Sequence, residues 1–235
     1  MSRQIAISEI FGPVIQGEGP LAGVPTVFVR TGGCDYRCTW CDTLYAVDPM
    51  IGRRQWKRRD PEDVAAEVFM LAQAKPIWVT LSGGNPAIQP LGEVIENLKA
   101  KGFRFAIETQ GTVMPTWANR LDMVVVSPKP PSSGMETDLG QLDAWINGVP
   151  HSVLKVVIFD EGDLAYFAAL RARYPGRRYY VQPGNPDFME EAEADVEGLL
   201  ARYRWLVDLT LARGWFDVAV LPQLHVLAFG GGRGQ

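Results

Sequence analysis

Three cysteines lie close together and form the densest group of reactive side chains in the sequence. They are Cys34, Cys38 and Cys41, spaced as C-x3-C-x2-C. Thiolates are soft ligands that suit zinc or iron–sulfur centres. A structural zinc ion takes four protein ligands and a four-iron cluster usually takes four cysteines. The two histidines, His151 and His225, are remote in sequence. The spacing therefore indicates a metal centre with one coordination position left open.

The elements that must position these cysteines read as alternating strands and helices. The predicted core strands are Thr26–Thr31, Ile77–Leu81, Arg104–Glu108, Met123–Val126, Leu154–Phe159 and Tyr179–Val181. They are rich in Val, Ile, Phe and Tyr and almost continuously apolar, as strands covered on both faces are. A short N-terminal strand or hairpin is expected at Gln4–Phe11, and a final strand-like run at Val218–Leu221.

Helical patterns fill the intervals between these strands. Asp60 predicts the N-cap of a helix that begins at Pro61. Further predicted helices are Leu91–Lys101 with Gly102 after its end, Asp163–Tyr174, and Phe188–Arg213 with a break near Gly198. Alternating strands and helices form a parallel sheet, and six such units are fewer than the eight of a closed barrel. We therefore predict an α/β fold, a partial (β/α)6 TIM-like barrel with a short N-terminal extension, as a single domain over residues 1–235.

Polar or Gly/Pro-rich turns follow the predicted strands. These turns are the cysteine loop itself, Ser82–Pro86, Thr109–Thr112, Ser127–Pro131 and Gln182–Asn185. In parallel barrels the carboxyl ends of the strands form the rim on which active sites are built. We therefore expect the five turns to converge around the cysteines, although they are far apart in sequence.

The bulk composition excludes several classes of protein. A net charge of −4 argues against a protein that coats nucleic acid. The sequence contains no apolar run long enough to span a membrane, and its first residues lack the apolar stretch of a signal peptide. Three thiols without a signal peptide favour a reducing cytoplasm over a disulfide framework. The basic run Arg53–Arg59 is interpreted as a solvated connection rather than an RNA contact.

The cysteine spacing, with Trp40 before the last cysteine and a strand before the loop, resembles the signature of the radical S-adenosylmethionine (SAM) superfamily. The similarity extends to the 7-carboxy-7-deazaguanine synthase family. The segments that carry it are Glu9–Gly19, Gly23–Arg30, Gly33–Cys34, Trp40–Thr43, Ser127–Met135, Lys155–Val157, Gln182–Asn185 and Leu221–His225. It therefore covers most of the chain, from about residue 5 to about residue 230, in the family's order.

The resemblance implies that Cys34, Cys38 and Cys41 hold a [4Fe–4S] cluster whose open iron binds SAM, and that the reduced cluster cleaves SAM to a hydrogen-abstracting radical. The residues implied in SAM binding are Trp40, Cys41, Asp42, Gly84, Ser127, Pro128, Lys129, Gln182, Pro183, Gly184 and Asn185. Asn85 stands where most members have Glu, which puts a carboxylate contact to the SAM ammonium group in doubt, although an amide can accept a hydrogen bond.

The resemblance also implies conversion of 6-carboxy-5,6,7,8-tetrahydropterin to 7-carboxy-7-deazaguanine with loss of ammonia. The implied substrate-lining residues are Ile15, Gln16, Gly17, Glu18, Arg30, Ser82, Glu108 and His225. Among them, Gln16 can both donate and accept, Glu18 can accept from N–H groups, and the planar fork of Arg30 suits a carboxylate. The Thr43 hydroxyl is implied as a Mg2+ ligand. The implied partners are a reductant protein such as flavodoxin or ferredoxin and a second copy of the chain in a homodimer.

Other interpretations of the same residues stay open from the sequence alone. Trp40 and His225 are compatible with core packing, Lys129 with a solvated surface position, and Thr43 with capping of the next turn. A radical SAM activase that places a glycyl radical on a partner protein would share the cysteine loop. A non-enzymatic zinc or RNA-binding module would explain the cysteines without SAM.

Overall fold

The computed structural model describes residues 4–52, 55–186 and 195–230, which form one nine-stranded sheet. Its strands are β1 (Ile5–Ile15), β2 (Pro25–Thr31), β3 (Lys57–Arg59), β4 (Trp78–Gly83), β5 (Arg104–Thr109), β6 (Met123–Val126), β7 (Val153–Ile158), β8 (Tyr179–Pro183) and β9 (Val218–Val220). Their order is β3-β1-β2-β4-β5-β6-β7-β8-β9. Strand β1 pairs antiparallel with β2 and β3, and all pairings from β2 onward to β9 are parallel.

Helices connect most of the parallel strands. The α-helices of the described residues are α1 (Leu44–Val47), α2 (Pro49–Gly52), α3 (Pro61–Leu71), α4 (Gly92–Lys99), α5 (Leu139–Gly148), α6 (Glu161–Arg173), α7 (Val196–Ala212) and α8 (Leu224–Phe229). Short 3-10 turns lie at Gly19–Leu21, Pro86–Ile88, Ala118–Arg120 and Pro131–Ser133. Within the described ranges, no helix is both long and apolar enough to cross a membrane.

The two faces of the sheet differ in chemistry because successive side chains of a strand point to opposite faces. On one face Val79, Leu81 and Phe105 are fully buried in the main core, which they share with helix residues such as Val94 and Ile95. The intervening side chains of the same strands are more polar. Thr26 and Thr80, for example, are joined by a 2.9 Å hydrogen bond between their hydroxyl groups. The apolar face stabilises the fold, and the polar face is left to line a site.

The sheet is curved, since segments from its two ends meet. The backbone N–H of Leu224, beyond β9, donates to the carbonyl of Gly17, in the connection between β1 and β2, at 3.0 Å. The same connection carries Leu21, which packs with Trp78 and Ala106 in a second apolar cluster on the polar face. Trp78 is the first residue of β4. The β1–β2 connection therefore covers the concave face near the ends at which the strands begin.

The predicted α/β fold with a parallel sheet is confirmed, and the sheet is not closed into a barrel. Every predicted core strand is present with small changes at its ends. The N-terminal element is longer than predicted because β1 runs to Ile15 and joins the sheet through β2. Part of the basic run, Lys57–Arg59, forms an edge strand in which Lys57 and Arg58 are exposed, whereas residues 53–54 lie outside the described ranges.

The helix predictions need three corrections. Helix α7 begins at Val196 and continues through Gly198 without a break, and residues 188–194 of the predicted helix lie outside the described ranges. Asp60 occupies the N-cap position of α3 but its side chain makes no capping hydrogen bond. Helix α5 was not predicted, although Asp138 caps it by accepting from the backbone N–H groups of its first turn.

Candidate functional site

The cysteine loop begins directly after β2 and is anchored to the turn that follows β6. The Thr39 hydroxyl donates to the carbonyl of Ser132 at 2.9 Å, and the Thr39 N–H donates to the carbonyl of Ser133 at 2.9 Å. The Trp40 indole N–H donates to the Ser132 hydroxyl at 3.0 Å. Two of the polar turns expected at the rim are therefore in direct contact.

The three thiols are half-buried and share one electrostatic environment. Burial raises the pKa of Cys34 and Cys41, and it raises the pKa of Cys38 to about 11. The positive charge of Lys129 acts in the opposite direction on all three pKa values. Lys129 therefore faces the whole loop, and its ammonium group also lies 5.8 Å from the centre of the Trp40 ring.

The donor set suits a cluster better than a single ion. Among the described residues, no three His, Cys, Asp or Glu side chains converge so that they could share one metal ion. A zinc site needs all its thiolates about 2.3 Å from one point. An iron–sulfur cluster instead binds each thiolate on a different iron, so its sulfur ligands are spread apart. Cys34, Cys38 and Cys41 supply three of the four thiolates that a four-iron cluster usually takes.

The turn after β4 packs closely on the cysteine loop. A Cβ atom on Gly84 would lie 2.1 Å from the carbonyl oxygen of Gly33, so a larger residue would displace the backbone before Cys34. The N–H of Asn85 donates to the same Gly33 carbonyl at 2.8 Å. Gly84 is thus required for the approach of the two loops.

Both polar atoms of the Asn85 side chain make hydrogen bonds within the protein, and these bonds tether the neighbouring loops. It is fully buried, and its Nδ2 donates to Asp35 Oδ1 at 2.9 Å and to Thr112 Oγ1 at 3.1 Å. Its Oδ1 accepts from Thr109 Oγ1 at 3.0 Å and from the N–H of Ala87 at 3.2 Å. This oxygen already has two donors, so Asn85 is better suited to hold the loops together than to accept from a ligand.

Gln110, after β5, completes this network and was not predicted as a site residue. Its Nε2 donates to Asp35 Oδ1 at 2.6 Å and lies 3.5 Å from Cys34 Sγ. The position is inside the predicted turn Thr109–Thr112, so the turn itself was the available sequence signal. Its amide is the second side-chain donor to Asp35, after Asn85.

Gln182 and the turn after β8 form another wall of the rim. Gln182 is 2% exposed, and within the described part of the chain its Oε1 is buried without a hydrogen-bond partner. A buried acceptor without a donor is costly and points to a missing ligand. The following Gly184 packs on the ring of Phe159, and its carbonyl accepts from Arg202 Nε at 2.9 Å. Phe159 also packs against Trp40, with ring centres 5.2 Å apart.

The other residues expected to contact SAM lie at the same rim. They are the exposed Asp42 after the cysteines, the buried Ser127 and Pro128 after β6, Pro183 at the end of β8 and Asn185 after it. Lys129 Nζ donates to the Ser127 hydroxyl at 3.4 Å, so this lysine is fixed toward the site and is not a free surface side chain.

Thr43 precedes α1, but its hydroxyl makes no capping hydrogen bond. Its Oγ1 lies 3.7 Å from Cys41 Sγ. The expected alternative role, capping of the next turn by the side chain, is therefore absent at this residue. A hydroxyl oxygen beside the cysteine loop remains as the candidate ligand of a hard cation.

Arg30 and Ser82 are brought together because they are partners in the β2–β4 register. The Arg30 guanidinium is partly engaged already, since its Nε donates to Glu9 Oε1 at 2.6 Å. Its plane lies over the ring of Phe11, 5.6 Å from the centre, and near Tyr45, at 5.8 Å. These contacts fix the guanidinium, and within the described residues its two terminal nitrogens make no ion pair, which leaves them for a carboxylate.

The β1–β2 connection brings several predicted substrate residues onto the concave face. Gln16 and Glu18 line a small cleft, whereas Ile15 is 43% exposed at the end of β1. A Cβ atom on Gly17 would lie 2.0 Å from the imidazole Nδ1 of His225. His225, on α8, therefore lies directly over the backbone of the connection and is only partly buried.

An ion cluster occupies the centre of the concave face. Lys155, on β7, is 1% exposed and pairs with Glu18 and with Glu108, the latter at 2.5 Å. Burial disfavours the charge, but Glu108 and Glu18 outweigh it and raise the pKa of Lys155. Burial also acts on Glu18, but Lys155 and His225 prevail and hold its pKa well below the usual range. Both groups are therefore charged at neutral pH.

Sequence reasoning found Glu18 and Glu108 but missed the cation between them. The available signal was a single lysine inside the apolar strand Val153–Ile158, where a buried charge requires a partner. The partners lie 137 and 47 residues away along the chain, so the sequence did not reveal which carboxylates they were.

Comparison with known proteins gives a consistent family. Residues 28–126 match a model of the radical SAM superfamily. The chain is 41% identical to a 7-carboxy-7-deazaguanine synthase of Bacillus cereus, over 98% of this chain and 99% of the relative. It is 42% identical to the enzyme of the same name from Bacillus subtilis, over the full length of both.

A solved structure agrees with these sequence relatives. The crystal structure of QueE from Escherichia coli matches with a TM-score of 0.68 and 26% identity, over 93% of this chain and 94% of that chain. Both sequence relatives are more than 40% identical to this chain over at least 98% of its length. The chain therefore belongs to the 7-carboxy-7-deazaguanine synthase family of the radical SAM superfamily.

Proposed function

We propose that this protein converts 6-carboxy-5,6,7,8-tetrahydropterin to 7-carboxy-7-deazaguanine and ammonia. The reaction is a rearrangement with elimination, so no net oxidation occurs and the only by-product is ammonia. The proposal includes a [4Fe–4S] cluster, SAM and Mg2+ as cofactors. We further propose that a protein such as flavodoxin or ferredoxin supplies the electron, that the protein is cytoplasmic and that it forms a homodimer. These proposals follow from the family resemblance of the sequence.

The observation that carries the proposal is the acceptor-rich concave face. Glu18, Glu108 and Gln16 line one cleft. The carboxylates accept hydrogen bonds only, which suits the amino and ring N–H groups along the edge of a pterin. Arg30 offers guanidinium nitrogens for the substrate carboxylate. The pairing of Arg30 with Glu9 keeps the guanidinium in one orientation.

Residues at the rim are suited to the cofactors. Cys34, Cys38 and Cys41 would hold the cluster, and SAM bound there would supply the hydrogen-abstracting radical chemistry. The buried Oε1 of Gln182, which has no donor among the described residues, offers an acceptor to SAM. Trp40 packs against Phe159, and the Lys129 ammonium group lies near its ring, which would hold the Trp40 side chain in place beside the cysteines.

Thr43 is the residue that we assign to Mg2+ binding. Mg2+ prefers oxygen ligands and keeps several waters, so one protein hydroxyl together with a substrate carboxylate is a sufficient site. The position of Thr43 two residues after Cys41 would place this ion beside the cluster loop.

The direct test is turnover by the anaerobically reconstituted protein. The full chain, with its cluster verified by iron and sulfide content, is incubated with SAM, Mg2+, a reductant and the carboxylated tetrahydropterin. We expect mass spectrometry to detect 7-carboxy-7-deazaguanine and one equivalent of ammonia. An intact cluster with no deazaguanine product would contradict the proposed function.

A further inference from the structure

Lys155 is the only lysine or arginine with a side-chain exposure as low as 1% among the ion pairs of the described residues. Its neighbours Leu154 and Val156 face the apolar core on the other side of β7. The side chain is almost completely removed from water, and burial of a charge is costly unless well-placed partners compensate for the lost hydration. A hydrophobic residue at this position would avoid the cost of burying a charge. Folding stability alone therefore does not explain the lysine.

The geometry of the cluster supplies one. Glu18 Oε2 accepts from Lys155, while Glu18 Oε1 accepts from Gln223 Nε2 at 2.8 Å. Glu108 pairs with Lys155 through Oε1. Donors from the protein therefore orient both carboxylates. Glu18 has two such donors, Lys155 and Gln223, and Glu108 has one, Lys155. A carboxylate has about four lone-pair sites, so each of the two keeps acceptor capacity beyond these contacts.

The cleft beside the cluster is where these lone pairs are available. It is lined by both carboxylates, and the side chain of Glu108 is 30% exposed there. Gln223 Oε1 is a further buried acceptor that has no donor within the described residues. Gln223 does not line the cleft, but it contacts Glu18, so the surroundings of that carboxylate include a further acceptor. Two carboxylates and one ammonium also leave the ion cluster with one net negative charge.

We propose that Lys155 is a positioning residue that orients Glu18 and Glu108 as a paired acceptor for the N–H edge of the pterin ring. The inference rests on the proposed function for the identity of the ligand. The new part of the inference is the role of Lys155, which sets the charge state and the orientation of both carboxylates. Without the ammonium, two neighbouring buried carboxylates repel each other, and one of them takes up a proton. A protonated carboxyl would present a donor to the N–H groups of the ligand.

The test compares Lys155→Met with the double variant Lys155→Met/Glu108→Gln. Both variants remove the Lys155 cation. The double variant also replaces one carboxylate by an amide, so the net charge of the cluster stays at −1 and no two carboxylates repel each other. Lys99→Met is the matched control, since it removes a lysine from an ion pair with Asp122 outside the site. Binding of 6-carboxy-5,6,7,8-tetrahydropterin is measured anaerobically by calorimetry on the cluster-loaded proteins, and turnover is measured separately.

We expect each variant without Lys155 to bind the pterin about tenfold more weakly or worse, because a charge-assisted hydrogen bond is lost. Cluster content and SAM binding should stay at wild-type levels, and Lys99→Met should bind as the wild type does. If Lys155→Met does not fold, the double variant is compared with Glu108→Gln alone, and the loss of affinity beyond that of Glu108→Gln is assigned to Lys155; equal affinity of these two variants would overturn the positioning role. Wild-type affinity in the double variant would overturn the positioning role.

Wild-type protein that binds the pterin without converting it would contradict the proposed function and leave the role of Lys155 supported by the binding difference.

Discussion

The cysteine loop and the Lys155 ion cluster are two reactive regions of one molecule, built in opposite ways. The cysteine loop takes its chemistry from consecutive residues, and its other contacts, such as those of Asn85, hold it in place. The ion cluster takes Glu18, Glu108 and Lys155 from three separate parts of the chain. A local motif can be recognised from spacing, whereas an assembled cluster exists only once the sheet is curved. The loop is suited to hold the cofactors, and the cluster is suited to choose the substrate.

The largest expected effect is loss of the cluster when a thiol is removed. Cys38→Ser should prevent stable binding of the cluster, because a hydroxyl is a poor ligand for iron in this setting. We expect the iron and sulfide content to fall to background and deazaguanine formation to stop. Tyr36→Phe is the control from the same loop, since it loses only a hydrogen bond to the carbonyl of Glu136. A Cys38→Ser protein with full iron content would show that the loop is not the cluster site.

The next largest effect is expected at the tether of the cysteine loop. Asn85→Asp replaces a donor with a charged oxygen that faces Asp35 Oδ1, where Asn85 Nδ2 now donates at 2.9 Å. One carboxylate oxygen would keep the Thr109 and Ala87 donors, but the other would face the acceptor Asp35 Oδ1 in a buried position, which should cost about 3 kcal/mol of unfolding free energy or more. Denaturant unfolding measures the loss, and cluster content should also decrease.

Asn119→Asp is the matched control for this substitution, because Asn119 is exposed. It should change the unfolding free energy by less than about 0.5 kcal/mol. Equal stability of the two variants would argue against a tether at Asn85.

A smaller effect is expected from crowding between the two loops. In Gly84→Ala the new methyl group would meet the backbone of Gly33, which should cost about 1–3 kcal/mol. Gly92→Ala is the comparison at the start of α4, where the nearest atom would lie at an ordinary 3.5 Å, on Trp117. It should change stability by less than about 1 kcal/mol. Thermal unfolding of both variants is measured. A loss of stability in Gly84→Ala alone indicates close packing between the loops, whereas equal losses indicate a general effect of replacing glycine.

The smallest expected effect concerns the proposed Mg2+ ligand. Thr43→Val keeps the shape of the side chain and removes the oxygen, so half-maximal turnover should need about tenfold more Mg2+. Thr116→Val, at an exposed position, should leave the Mg2+ requirement unchanged. An unchanged Mg2+ requirement in Thr43→Val would remove this residue from the proposed site.

The contrast also explains how much the sequence could predict. The core strands and the convergence of the turns followed from apolar runs and from the rule that parallel strands end at one rim. The tether of Asn85 to Asp35 and the pairing of Lys155 with Glu18 did not follow, because residue types alone do not fix which side chains meet. The edge strand at Lys57–Arg59 was missed for the same reason. A basic run has weak strand preference and forms a strand here by pairing with β1.

The most direct test of the division between the two regions is the pterin affinity of Glu18→Gln. This change keeps the shape of the side chain and removes the charge that Lys155 and Gln223 orient. The account predicts that iron content and SAM binding match the wild type, while the dissociation constant for 6-carboxy-5,6,7,8-tetrahydropterin rises about tenfold or more. Wild-type affinity for the pterin, measured by anaerobic calorimetry with an intact cluster, would contradict it.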